Sequence, residues 1–372
     1  MFLVFLLIFP VTVSSQLQIS QGVTFRELNQ DDGPWAIQAL EINRNTPGIT
    51  LEAVLGGSYI LGIEPLNSII ERLTSPNRHI LAGINGDFYI LKADPFQGDP
   101  IGLCVVDGEM VSSPVKRSVF VILKDGSLVI DRFSMLAEVK SADGVTCPLS
   151  GINQHCPDNK IVLLTSAFNS TNRPQENATL LLAGPLPEPL KSEGKYTFSA
   201  IEKHPGDSVL PIPPQRIALV GRGSGADFLN NIDDNESIEC SINLDPSPGT
   251  IQHAVGGGPR LLRNGEISIE AEQEGISQSF VDTRHPRTAL GYNDDSIFLV
   301  TVDGRQEGYS AGMSLPELAA LLKKLGAKEA INMDGGGSTT MWVTGTVRNR
   351  PSDGMVRPIA NGILLYSADG QK

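Results

Sequence analysis

The sequence predicts an α+β protein, with a mixed β-sheet core and flanking helices, in which strand-helix-strand units place a site at strand carboxyl ends. Three observations lead there. A chain of 372 residues with 40% hydrophobic and 19% charged residues has the makeup of a globular protein with a substantial core. Two stretches read as strand, helix, strand, each running into a polar, glycine-containing motif. Several further stretches alternate and meet at turn residues, as antiparallel hairpins do.

Taken in order, the apolar run 1–10 is followed by Val11-Thr-Val-Ser-Ser15, whose small residues suit signal-peptidase cleavage. We read 1–15 as a secretory signal, although the first cation is Arg26; a buried first strand is the rival reading. The run is too short for a typical spanning helix. No integral membrane segment is therefore expected in the mature chain, and the expected localisation is secreted or periplasmic. The remainder, 16–372, reads as one domain with a variable insertion around 147–214.

The first unit comprises a strand at 50–55, a short helix at 65–73 with Ile69, Ile70 and Leu73 facing inward, and a strand at 80–84. It runs into Asn85-Gly-Asp-Phe-Tyr89. Residues 119–123 and 128–130 form a hairpin pattern across Lys124-Asp-Gly-Ser127. The stretch 183–215, with prolines at 185, 187, 189, 205, 211, 213 and 214, reads as loops with a short extended segment, since proline removes a backbone donor and restricts its predecessor. Residues 288–292 form a strand turning at 293–295. The second unit starts with a strand at 297–302 ending at Asp303. Ser314 and Glu317 then form a capping box, Leu315, Leu318, Leu322 and Leu325 an apolar stripe, and Gly326 a stop. The next strand, 330–333, ends at Asp334. Strands joined by such a helix are expected to be parallel, with Asp303 and Asp334 on the same sheet edge, where ligands usually bind.

A formal net charge of -13 excludes a general nucleic-acid binder, which needs a basic surface. An anionic substrate requires a local arginine cluster. Cys104, Cys147, Cys156 and Cys240 lack the paired spacing of a zinc site; in an exported chain a local Cys147–Cys156 disulfide is the easiest to close, with buried free thiols as the rival reading. Sequons occur at Asn169, Asn177 and Asn235.

Four motifs carry the candidate chemistry. Asp334-Gly-Gly-Gly-Ser-Thr339 lets the backbone present N–H groups of Gly335, Gly336 and Gly337 to an anion, with Ser338 and Thr339 beside them; an ordinary glycine turn is the rival. Arg284-His285-Pro-Arg287 offers two guanidinium groups suited to phosphate and an imidazole, against a solvated loop. Asp303-Gly-Arg305-Gln-Glu307 adds carboxylates and a cation. Glycosyl transfer uses a carboxylate near an oxocarbenium-like transition state, commonly with a second as acid, base or nucleophile. Asp303 and Asp334 are the candidate pair, with Glu307 and His285 as further catalytic candidates. Gly256-Gly-Gly-Pro-Arg260 could approach a ligand closely and place Arg260 on phosphate.

Together, Asn85-Gly-Asp-Phe-Tyr89, Gly256-Gly-Gly-Pro-Arg-Leu261, Arg284-His-Pro-Arg-Thr288, Asp303-Gly-Arg305 and Asn332-Met-Asp-Gly-Gly-Gly-Ser-Thr339 resemble the phosphodiester glycosidase family in order and composition. The resemblance spans roughly 22–367 in outline and departs most at 147–214. It implies an N-acetylglucosaminidase-like hydrolase that cleaves a sugar from a glycosyl phosphodiester at the anomeric carbon. Arg260, Arg284, Arg287 and Arg305 would then bind phosphate, and Asn85, Asp87 and Tyr89 would contact substrate. The alternatives are a glycosidase on a non-phosphorylated cell-surface polysaccharide, with Glu307 as acid, and a non-catalytic cell-wall or exopolysaccharide binding protein. Asp87, Asp303 and Asp334 could gather around calcium or magnesium, but no compact metal loop is visible, so the expectation is no metal and no cofactor.

Overall fold

The computed structural model describes residues 12–30, 33–76, 78–92, 96–169 and 177–368. Most of the expected secretory signal, residues 1–11, lies outside the described residues. Thr12–Ser20 form the outermost, largely exposed strand of an eight-stranded sheet.

The class differs from the α+β expectation. Strands make up 48% of the chain and helices 11%, so the protein is mainly β. Among the described residues the α-helices are four, of 5 to 11 residues. None is long and apolar enough to cross a membrane. The strands form the eight-stranded sheet, two five-stranded sheets and a closed seven-stranded barrel.

Both expected helical units exist, but neither makes a parallel pair. Ser296–Val302 and Glu329–Asn332 each pair antiparallel with Arg287–Tyr292, which lies between them. Ile49–Leu55 and His79–Asn85 likewise flank Asn361–Ser367. Among the described residues the one parallel pairing lies in the barrel, between Thr146–Ile152 and Ile161–Thr165. In both units the inserted strand comes from outside the strand-helix-strand stretch, so nothing within that stretch announces it. The two outer strands still run the same way, and their carboxyl ends share an edge.

The helix Leu315–Leu325 forms as its sequence dictates. Ser314 and Glu317 close the capping box, and Gly326 ends it in the left-handed region at φ 98°, which costs glycine no Cβ clash. Leu318 and Leu322 pack on Ala39, Ala289 and Val300 of the large sheet. The opposite face of that sheet, through Leu40, Ile42, Leu290 and Leu299, packs on Ala53, Ala82, Ile84 and Ile363 of a five-stranded sheet. The site lies where these two sheets meet.

The expected insertion falls within the barrel, whose strands run from Ser134–Lys140 to Ser237–Asp245. The proline-rich stretch is more regular than its composition suggests. Gly194–Pro205 is a 12-residue strand that turns Tyr196, Phe198 and Ala200 inward, and the prolines lie before it, at its last residue and after it. No Cys147–Cys156 bridge forms: Cys147 is a thiol, and Cys156 Sγ donates to the carbonyls of Val220 and Lys160 at 3.2 and 3.3 Å.

Candidate active site

Two buried asparagines join the sheets. Asn85 ends one strand beside Gly362 of the next. Its Nδ2 donates to the Asp334 carbonyl at 2.7 Å, and its Oδ1 accepts from Thr288 Oγ1 at 2.7 Å and Thr340 N at 3.1 Å. Asn361 Oδ1 accepts from the Asp87 amide at 2.7 Å, and the Asp334 amide donates to Gly86 O at 2.9 Å. The loops 85–89 and 334–339, far apart in sequence, are thereby fixed against each other.

Each loop contributes a carboxyl group. Asp87 is 2% exposed and accepts from the amides of Phe88 and Gly102, both at 2.7 Å. A Cβ on Gly256 would collide with Asp87 Oδ2, and one on Gly102 would lie 2.9 Å from it. The run beginning at Gly256 therefore makes room for this carboxyl group. Burial pushes Asp87 up to about 7, against the opposing pull of its two amide donors and Arg117; the charge of Asp334 adds to the rise. Asp334, which is partly exposed, accepts from its neighbour Gly335 N at 2.9 Å. Burial raises it to about 6 against Ser338, the Gly335 amide and Arg357.

The glycine loop is used differently from the expectation. The Gly335 amide serves Asp334, and the Gly336 amide donates to Pro286 O at 2.9 Å. The absence of side chains instead admits neighbours. A Cβ on Gly336 would lie 3.2 Å from both terminal nitrogens of Arg305, and one on Gly337 would overlap the Asp353–Arg357 ion pair. Ser338 and Thr339 are buried beneath this loop.

Asp303 belongs to a separate hub. It is 1% exposed and accepts from Gln38 Nε2, Tyr309 Oη, Asn349 Nδ2 and the Arg350 amide at 2.9–3.3 Å. Burial raises its pKa and these donors oppose the rise. Its link to the glycine loop is Asn349, whose Nδ2 also donates to Thr339 O at 2.9 Å.

Of the four arginines, only Arg305 is placed for a substrate. It is exposed, makes no ion pair among the described residues and sits 3.2 Å from His285 Nδ1. Burial and the nearby Arg287 and Arg305 lower the His285 pKa, so the ring is neutral at pH 7. Arg284 is held by Glu317 at the helix start. Arg287, 1% exposed, donates to the carbonyls of Met313, Thr283 and Phe280 at 2.8–2.9 Å, and burial lowers it to about 10. Arg260, also 1% exposed, is ion-paired to Glu329 and lies near Glu270 and Asp131. Glu307 is exposed. Tyr89 donates to Pro358 O at 2.7 Å, bracing the segment before Asn361.

The sequence reading missed Arg117, Phe88, Phe280 and Asn361. Arg117 lies 5.3 Å over the Phe88 ring and acts electrostatically on Asp87. Phe88 lies within the Asn85-Gly-Asp-Phe-Tyr89 motif, whereas Arg117 carries no local signal. Asp87, Asp303 and Asp334 do not form a metal-type group. Among the described residues that description fits Glu52, Asp107 and His253, whose ligand atoms lie within 4.8 Å of one another.

With this geometry in view, residues 201–366 match the family model described as phosphodiester glycosidase. The C-terminal half carries the phosphodiester glycosidase pattern. The chain is 35% identical over 120 residues to the N-acetylglucosamine-1-phosphodiester alpha-N-acetylglucosaminidase of Mus musculus, covering 30% of this chain and 23% of that protein. The human protein of the same name is 37% identical over 103 residues, 25% of this chain and 20% of that one. The chain thus spans under a quarter of the curated relatives it matches here. A hypothetical protein from Synechocystis shares the fold, with TM-score 0.80 and 22% identity over 96% of this chain and 64% of that one. The phosphodiester glycosidase match holds Asp334 and Asn361 but not loop 85–89, which joins them only through the fold.

Proposed function

We propose that this protein is an exported hydrolase that cleaves a glycosyl phosphodiester at the anomeric carbon of its sugar. The observation that carries this reading is the pair of raised-pKa carboxyl groups Asp87 and Asp334 on loops bonded to each other through Gly86, with Arg117 over the neighbouring Phe88 and Arg305 against Gly336, two cations without an ion pair among the described residues. The phosphodiester glycosidase match over 201–366 and the printed activity of the mouse relative support the substrate class. The apolar run 1–10 followed by small residues supports export.

In this mechanism Asp334, as carboxylate, serves the anomeric carbon. The bond from that carbon to the phosphate oxygen breaks, its electron pair leaves on the phosphate, and water adds to the carbon, keeping one hydrogen as the sugar's new hydroxyl and passing its other proton to the Asp334 carboxylate, which returns it to solvent. A phosphate is a good leaving group, so Arg305 and Arg117 stabilise its charge and protonation is secondary. Asp87 keeps its proton at mildly acidic pH, which limits repulsion beside the Asp334 charge.

The test is incubation of purified protein with a sugar phosphodiester, an aryl glycoside and buffer, with identification of the released sugar. Preferential release from the phosphodiester is expected. Preferential cleavage of the aryl glycoside would transfer the site to ordinary glycosides, with Asp87 as the proton donor. Binding without release from any substrate would leave only a carbohydrate-binding protein.

A further inference from the structure

Beside the carboxyl pair lies an aromatic wall. Phe88 directly follows Asp87, and Phe280 lies in the short helix Gln278–Asp282. Their centroids are 6.1 Å apart with the rings inclined at 65°, and both residues are partly exposed. The contacts continue from Phe280 to the His285 ring at 6.5 Å, from His285 to Arg305 at 3.2 Å, and from Arg305 to the surface of Gly336. Gly336 follows Asp334 by two residues, and Asp334 acts on Asp87. These contacts, with the Asp334 amide bonded to Gly86 O at 2.9 Å, join Asp87, Phe88, Phe280, His285, Arg305 and Asp334 into one set of neighbours.

The wall is held in place. Arg287 donates to the Phe280 and Thr283 carbonyls at 2.9 and 2.8 Å, and its guanidinium lies 4.6 Å from the Phe280 ring. Arg117 lies against Phe88. Partly exposed apolar rings next to charged groups gain free energy when an apolar surface covers them. A pyranose offers such a surface on the C–H face of its ring, with hydroxyl groups around the rim. A phosphate offers none.

We propose that Phe88 and Phe280 form the sugar-binding wall of the site, one ring stacking on the C–H face of a hexopyranose and the other, inclined to it, meeting the edge of the same sugar, whose phosphate lies toward Arg305 and Arg117. This rests on the glycosyl phosphodiester reading and assigns the two halves of that substrate to different residues.

The experiment measures binding of free glucose and N-acetylglucosamine by saturation-transfer NMR and titration, beside steady-state kinetics on a sugar phosphodiester. The proteins are the full chain and its Phe88→Leu, Phe280→Leu and Phe280→Tyr variants. Each Leu variant should weaken sugar binding about tenfold and raise KM more than it lowers kcat. Phe280→Tyr should bind nearly as the native chain does. Competition by inorganic phosphate should stay within about twofold in all of them. Unchanged sugar affinity in both Leu variants, at native Tm, would overturn the wall, as would equal losses for sugar and inorganic phosphate. If a Leu variant unfolds, the Tyr variant and a Phe88→Trp variant decide: loss of sugar binding in both at native Tm counts against stacking, and retention supports it. A native chain that binds sugar through these rings yet releases nothing from any phosphodiester would keep the wall and remove the proposed reaction.

Discussion

Asp334 and Asp303, alike in the sequence, have different surroundings. Asp334 is partly exposed beside a second carboxyl group, whereas Asp303 is enclosed by donors from four residues. Asp334→Asn is expected to lower kcat about a thousandfold at native Tm. Asp303→Asn exchanges one acceptor oxygen for an amide facing donors, which should cost about 1–3 kcal/mol of stability. Parallel activity assays and denaturant titrations would separate the two, and a large kcat loss in Asp303→Asn without loss of stability would return Asp303 to the chemistry. The arginines divide similarly. Arg305→Ala should lower kcat/KM on a phosphodiester about 10- to 100-fold while sparing a neutral aryl glycoside. Arg284→Ala removes a partly exposed ion pair and should change stability by less than about 1 kcal/mol, with little effect on the phosphodiester. Similar losses for Arg284→Ala and Arg305→Ala would refute this division.

Among the elements, the helix Leu315–Leu325 was fully readable because capping box, apolar stripe and terminal glycine are all local signals. Leu322→Ala should cost about 2–5 kcal/mol by leaving a cavity against the large sheet, as measured by urea unfolding; a loss below about 1 kcal/mol would mean that the interface collapses to fill it. The barrel strand Gly194–Pro205 carries an alternating pattern that the surrounding prolines obscured. The parallel pairing was misread for another reason. A strand-helix-strand stretch fixes the direction of its two strands, but an open slot between them can accept a third strand from elsewhere, as Arg287–Tyr292 and Asn361–Ser367 do.

Across the whole molecule, the carboxyl pair couples protonation to folding. Asp87 titrates near 7 and Asp334 near 6 in the folded chain, against about 3.9 when unfolded. Between about pH 4 and 7 the folded state therefore holds more protons than the unfolded state, so these two groups make stability fall as pH rises and stop contributing to the slope above about 7. Unfolding of Asp87→Asn across this range should show a shallower fall between pH 5 and 7 than the native chain. An identical slope would mean that Asp87 is ionised throughout. Activity should peak between the apparent values of the pair, with the alkaline limb lost in Asp87→Asn.

The sequence by itself determined the reactive residue types, the order of the motifs and the helices that begin and end on local signals. Its runs of glycine marked places of close approach, since only a missing side chain lets Asp87 lie against Gly256 or Arg305 against Gly336. What approaches was decided by the tertiary structure. Pairing Asp87 with Asp334, enclosing Asp303, committing Arg260, Arg284 and Arg287 to internal partners, and bringing Arg117 to Phe88 all depend on contacts between distant segments. A side chain's charge and shape are written in its own residue, whereas its burial and its partners, which set its pKa and its availability to a substrate, are properties of the packed chain.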